Sequence, residues 1–277
     1  MTSLLCPAAH AFDVIAPEFD ARFGSWRSVA AQRCAVRAAL LKAFPAGGRI
    51  LEVGGGTGED AAFLAKKGFR VLLTDPAPKM VSLAKAKLSH LGSCAVVAAA
   101  EELEEFAHRT IAEGEELFDG AFSNFAPLNC VFDLSPVAFG LARLLKPGAL
   151  AMLVVFGAFC PGEMVTELLR GRPRNALRRL RRDLAPARLG DQSFYVTYHS
   201  KAQLVRAFAP WFTLEKRLGI GITVPPSAAE PWITGRLRVL AAMEKADKYL
   251  SRPLACFGDH LLYQFRRTDV PATKRDR

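Results

Sequence analysis

Arg49-Ile50-Leu51-Glu52-Val53-Gly54-Gly55-Gly56-Thr57-Gly58-Glu59-Asp60 carries a short apolar run into four glycines within five positions, and then into helix-forming residues. The pattern reads as a buried strand, a tight turn and a helix start. Glycines serve where φ is positive or where a ligand must approach the backbone more closely than a Cβ allows, and the helix start behind them offers free N–H groups. A phosphate loop of the Walker type needs Lys-Ser/Thr after its last glycine, whereas Glu59 and Asp60 follow Gly58. A dinucleotide turn, G-x-G-x-x-G, would require its third glycine where Glu59 stands. Neither pattern fits.

What remains is acid-x-Gly-x-Gly-x-Gly: Glu52, Gly54, Gly56 and Gly58. The next apolar run, Arg70–Thr74, ends at a second acid, Asp75. That is about 20 residues on, the spacing at which a carboxylate reaches ribose hydroxyls in nucleotide-binding α/β units. The arrangement resembles the cofactor loop of class I S-adenosylmethionine-dependent methyltransferases. The resemblance implies that Glu52, Gly54, Gly55, Gly56 and Gly58 hold the methionine and ribose end of S-adenosylmethionine. By the same resemblance Thr57 contacts the methionine portion, Asp75 takes the ribose hydroxyls, and Pro76 flanks the adenine.

Other stretches extend the likeness, with departures. Ala99-Ala100-Glu101 stands where the family often has Asp-Ala-Glu, so backbone at Ala100 and the Glu101 carboxylate are the substitutes for the missing adenine contact. Phe12-Asp13 and Phe19-Asp20 resemble a Tyr-Asp…Tyr-Asp lid segment with both tyrosines replaced. Phe19 can still pack over the cofactor, but no tyrosine hydroxyl remains there. Strand four, 117–123, leads to Asn124, a further cofactor candidate, and to Asn129. Asn124-Phe125-Ala126-Pro127 is not the Asn/Asp-Pro-Pro-Tyr/Phe motif of the exocyclic-amine DNA methyltransferases, which argues against DNA bases as acceptors.

Composition bounds the reading. With 277 residues, 51% hydrophobic and 23% charged, the chain can bury a full globular core. No apolar run reaches the roughly 18–20 residues of a membrane span, and Met1–His10 lacks a basic n-region, so a cytoplasmic protein is expected. Six cysteines and five histidines are dispersed without ligand spacing, so no metal site is expected. A hydroxyl or thiol acceptor would need a base, for which His199 and His260 are the candidates. Each also has a plainer reading as a structural histidine.

Strand and helix patterns alternate from residue 49 to 156 in the manner that gives a parallel sheet. The expected fold is α/β, a doubly wound Rossmann-like seven-stranded sheet of methyltransferase type with its last strand antiparallel and a mainly helical cap. Residues 1–45 are read as N-terminal lid helices, 46–156 as the cofactor-binding core and 157–199 as a basic cap insertion. Residues 200–224 return to a core helix and strand, 225–258 form a helical insertion, 259–266 the last strand and 267–277 a charged tail without ordered structure.

The net charge is +10, and Arg170 to Arg182 holds seven arginines and no acid. Helical spacing would gather Arg170, Arg174, Arg178, Arg181 and Arg182, with Leu169, Leu177, Leu180 and Leu184 on another side. A solvated face is one reading. An acidic substrate or an anionic membrane surface bearing a lipid-like acceptor is the other. Residues 163–193 lack aromatics among the charges, which argues against nucleic acid. Acceptor contacts are assigned to Asn129, Tyr195, Tyr198, Arg174 and Arg178. The function expected is in-line methyl transfer from S-adenosylmethionine to a small-molecule or lipid-like, anionic acceptor. An RNA or protein methyltransferase, or a non-catalytic cofactor-binding subunit, are the alternatives.

Overall fold

Four of the five residues of β1 (Arg49–Val53) are buried, as expected of a strand covered on both faces. A computed structural model describes residues 6–180 and 184–272. In it β1 lies inside a seven-stranded sheet with β2 (Arg70–Asp75), β3 (Cys94–Val97), β4 (Phe118–Ser123), β5 (Leu145–Phe156), β8 (Phe212–Ile220) and β9 (His260–Arg267). The order is β3-β2-β1-β4-β5-β9-β8. The first five strands run parallel, and β9 is antiparallel to both β5 and β8. The sheet reverses its strand order beside β1, which puts the β1 and β4 ends at the switch point where ligands of open α/β sheets bind.

Two cores sandwich the sheet. Helices α5 (Leu103–Ala112), α6 (Ser135–Leu144) and α9 (Lys201–Phe208) cover one face, around Phe118, Leu141 and Phe265. Helices α2 (Arg27–Ala43), α3 (Glu59–Ala65) and α4 (Pro78–Leu88) cover the other, around Ile50, Leu73 and Phe122. Local chemistry starts these helices where the sequence signals them. Pro78 opens α4, and at α9 Ser200 and Gln203 make reciprocal capping bonds of 3.2 and 2.8 Å.

The lid helix α1 (Pro7–Phe23) lies across the ligand edge. Ile15 and Ala16 pack on Ala77 and Met80, while Ala8 and Ala11 pack on Phe194 and Val196. Phe194 and Val196 belong to a hairpin, β6 (Ala185–Leu189) with β7 (Gln192–Val196), that the sequence reading left without structure. The rest of the cap is α7 (Pro161–Leu169) and α8 (Pro173–Ala176), joined on one side by α10 (Glu230–Ile233) and α11 (Leu237–Leu250).

Two expectations are corrected. The arginine row is not one helix: Gly171, at φ +69°, and Pro173 end α7 and restart the chain as α8 and a 3-10 turn at 178–180. Arg181 and Arg182 lie outside the described residues. The tail begins later than expected, because Arg267 still belongs to β9. Arg267 is buried and donates to the carbonyls of Ala142 and Val270 at 2.8 Å each. Residues 273–277 lie outside the described part.

Candidate active site

The four glycines form the turn between β1 and α3. Gly56 sits at φ +55° with nothing within 4 Å of where a Cβ would stand, so its bare face opens on free space. Gly58, at φ +82°, serves packing instead, because a Cβ there would press to 3.0 Å on Ala84 of α4. The turn is joined directly to the second acid. The Gly56 N–H donates to Asp75 Oδ2 at 2.8 Å, and the Ala77 N–H donates to Oδ1 at 2.9 Å. Each carboxylate oxygen keeps a second lone pair for a ligand hydroxyl. Burial raises the pKa of Asp75 against the pull of those two N–H bonds.

Behind the turn, Glu52 is buried and its Oε2 has no hydrogen-bond partner. Burial, and then the neighbouring Asp60 charge, push its pKa well up. An unpaired buried carboxyl oxygen is costly unless a ligand donates to it. That orphan acceptor and the open face of Gly56 are what a nucleoside cofactor with donor groups would fill. Asp60 is itself tied in: Arg37 Nε pairs with its Oδ1 at 2.6 Å and Asn124 Nδ2 donates to its Oδ2 at 2.8 Å.

These groups line one cavity of ≈ 320 Å³ at the carboxyl ends of the strands. Its wall includes Glu52, Gly54, Gly55, Gly56, Thr57, Asp75, Pro76, Ala100, Glu101, Asn124 and Phe19, all expected from the sequence. Gly58 stands behind the wall. Strand order gives the cavity a direction. Asp75 ends β2, Ala100 and Glu101 follow β3, the glycines follow β1, Phe125 follows β4 and Phe156 ends β5. Past β4 the wall becomes aromatic, with Phe125, Phe156, Phe194 and Tyr198, and Arg178 and Arg33 are the cations at that end. Phe125 and Ala126 both hold positive φ, +57° and +64°, a conformation that costs of order 1–3 kcal/mol per non-glycine residue.

Several candidates fall elsewhere. His199 does not face the cavity: its Nε2 donates to the carbonyls of Leu128 and Val131 at 3.0 and 2.9 Å, and burial lowers its pKa. His260 is stacked on Phe156, with ring centroids 5.0 Å apart, and its Nδ1 meets Gln32 Oε1 at 3.0 Å, behind the wall rather than in it. Asn129 is fully buried and clamps the backbone, donating to Thr197 O at 2.5 Å and accepting from Phe156 N at 3.0 Å. Tyr195 alternates outward on β7 and Arg174 is exposed on α8, and neither reaches the cavity. Tyr198 and Arg178 do reach it. Among the described residues no cluster of His, Cys, Asp or Glu could hold a metal ion.

From the sequence Asp13 and Asp20 were placed in a lid segment without a role for their carboxylates, and Arg33 was missed. Asp13 Oδ1 accepts from Lys79 N at 2.7 Å, and Asp20 accepts from Thr57 Oγ1 and Lys87 Nζ at 2.6 Å each, so both acids tie the lid to the core. The signal was the twofold Phe-Asp, seven residues apart. Thr57, assigned to the methionine portion, spends its hydroxyl proton on the lid. Arg33 lines the cavity and lies over the Phe125 ring at 4.8 Å.

Comparison with known proteins agrees with this geometry. A family model described as a methyltransferase domain matches residues 25–208. No curated protein matches. Among solved structures, one from Listeria monocytogenes, assigned as an S-adenosylmethionine-dependent methyltransferase, shares 16% identity over 84% of this chain and 96% of its own, with a TM-score of 0.55. An S-adenosylmethionine-dependent methyltransferase from Methanosarcina mazei shares 19% identity over 83% of this chain and 97% of its own, TM-score 0.52. A third, from work on conversion of a disulfide bond into a thioacetal group during echinomycin biosynthesis, shares 23% identity over 86% and 83%, TM-score 0.51. With the family model covering most of the chain and the glycine turn, Asp75 and Glu52 gathered on one cavity, the chain belongs to the class I S-adenosylmethionine-dependent methyltransferases.

Proposed function

We propose that this methyltransferase acts on a small, largely apolar acceptor that carries an anionic group, of metabolite or lipid-like type. The observation that carries the reading is the aromatic chamber past β4, where Phe125, Phe156, Phe194 and Tyr198 stand beside two guanidinium groups, Arg178 and, over the Phe125 ring, Arg33. An apolar body fits the rings, and a carboxylate or phosphate fits the guanidinium.

When bound, S-adenosylmethionine supplies a sulfonium methyl group for in-line displacement. The chain's own work is positional. Glu52 and the glycine turn fix the amino-acid end, Asp75 takes the ribose hydroxyls, and α1 with the hairpin excludes water. Holding donor and acceptor in line in a closed site supplies several kcal/mol of barrier reduction, on the order of that measured for oriented intramolecular reactions. Among the described residues no histidine lines the cavity, and burial drives the Cys130 thiol up to about 12, so it stays protonated. The acceptor therefore attacks through its own lone pair or conjugate base, as an amine, a stabilised carbanion or an ionised oxygen or sulfur. The free thiols support a cytoplasmic setting.

Incubating the protein with methyl-labelled S-adenosylmethionine and fractionated cell extract tests the reading. Label is expected in the organic or acidic small-molecule fraction, and about tenfold less with Arg178→Ala, the loss of one charge-assisted bond. Label confined to RNA or protein would overturn it.

A further inference from the structure

Helix α7 is built inside out. Its two acids, Glu163 and Glu167, are buried, while Val165, Leu168 and Leu169 are 56%, 55% and 85% exposed. The spacing of 3 and 4 residues puts those three apolar side chains on one helix face. The inward acids are held by cations from the next turn. Arg178 Nε pairs with Glu163 Oε1 at 2.6 Å, Arg179 closes on Glu163 Oε2, and Arg170 and Asn175 reach Glu167 at 3.4 and 3.2 Å. This polar interior fixes which way α7 faces.

The charge left outside has one sign. Glu163 and Glu167 are the acids among residues 161–180, and both point inward. Arg170, Arg172 and Arg174 stay exposed beside the apolar stripe, and Leu177 and Leu180 are half exposed on the same cap segment. On α10, whose leading turn packs on α7, Trp232 is half exposed beneath Arg236, 4.4 Å from its ring centre. Exposed leucines beside exposed arginines, with no exposed acid among the described residues 161–180, match an interfacial element that sinks apolar side chains among lipid tails and sets cations against anionic headgroups. A protein groove complementary to such a face would need a matching row of acids. An anionic bilayer supplies them at any orientation.

We propose that the α7–α8 face docks this enzyme on an anionic phospholipid surface, bringing the cavity mouth at Arg178 to an acceptor that resides in the membrane. The proposal rests on the lipid-like branch of the function proposed above. No helix among the described residues is long and apolar enough to cross a membrane, so the contact is peripheral.

Co-sedimentation with vesicles of phosphatidylcholine, alone or mixed with phosphatidylglycerol, tests it. The protein is expected to pellet with the mixed vesicles and not with the neutral ones, and high salt should release it. Arg172→Ala and Arg174→Ala should each lower the partition coefficient about fivefold. Leu168→Glu with Leu169→Glu should lower it by more than about tenfold, while calorimetric binding of S-adenosylhomocysteine stays unchanged. A wild type that stays in the supernatant with mixed vesicles, or a leucine variant that pellets equally, overturns the docking. A wild-type dimer in light scattering that the leucine variant dissociates would also overturn it, since the face would then join two copies. Labelled lipid formed in detergent without vesicle binding would sink the docking alone. Vesicle binding with no labelled lipid would sink the acceptor reading alone.

Discussion

At the scale of single residues, the site is held in a state that disfavours its own charges. Glu52 is buried with an unpaired oxygen and a raised pKa, and nearby Asp75 is raised by burial too. A carboxyl whose folded pKa is raised gives up stability as pH climbs above its unfolded value toward the folded one, so the ligand-free protein carries a penalty in alkali that is absent in acid. Glu52→Gln should therefore melt higher than wild type at pH 8 without ligand, by about 1 kcal/mol, with the gap closing as pH falls toward 5. The same variant should bind S-adenosylhomocysteine more weakly. Scanning calorimetry across pH reads the first and titration calorimetry the second. Most of these residues were legible beforehand, because a glycine turn followed by an acid at a fixed distance is a local pattern. Arg33 was not, because it comes from a helix earlier in the chain and meets Phe125 only through the fold.

At the scale of elements, the cavity wall depends on clamps between segments distant in sequence. Asn129 ties the loop after β4 to the end of β5 and to Thr197 beyond β7. Asn129→Ala strands two half-buried backbone groups and should cost about 1–3 kcal/mol, read as a fall in the urea midpoint with the slope unchanged. The strands from β1 to β5 could be read from sequence because a covered parallel strand is a short apolar run with turn signals at each end. The cap could not. Helical periodicity grouped the arginines 170–182 while Gly171 and Pro173 broke the helix, and residues 163 and 167 went unread because the partners that bury them come later in the chain. The hairpin had a signal, Gly190-Asp191 between two five-residue strands, but β6 has no apolar run and that of β7 is three residues, 194–196. Both candidate histidines were singled out by residue type, and type alone does not say whether a ring faces a cavity or a carbonyl.

At the scale of the whole molecule, the cap, α2 and the sheet meet on one buried ion cluster. Arg179 pairs with Asp259 Oδ1 at 2.6 Å and with Glu163, while Gln32 of α2 donates to Asp259 Oδ2 at 3.1 Å. Burial alone would raise the Asp259 pKa, but the charges of His260 and Arg179 outweigh it and hold the carboxyl below its usual range. A depressed carboxyl contributes stability that is present above about pH 4, its unfolded value, and lost as pH falls below it. Wild type should lose melting temperature steeply below pH 4, and Asp259→Asn should start about 3 kcal/mol less stable at pH 7 with a shallower acid slope. Opening the cluster frees the cap rather than the cofactor edge, which is anchored separately by the Gly56 to Asp75 bond. That bond is where the account is most exposed. Titration calorimetry of S-adenosylhomocysteine into wild type and Asp75→Ala tests it: binding by wild type that weakens by roughly 10–100-fold in the variant, with the melting temperature held, is the result predicted. Equal affinity in both proteins, or no binding by wild type, would contradict it.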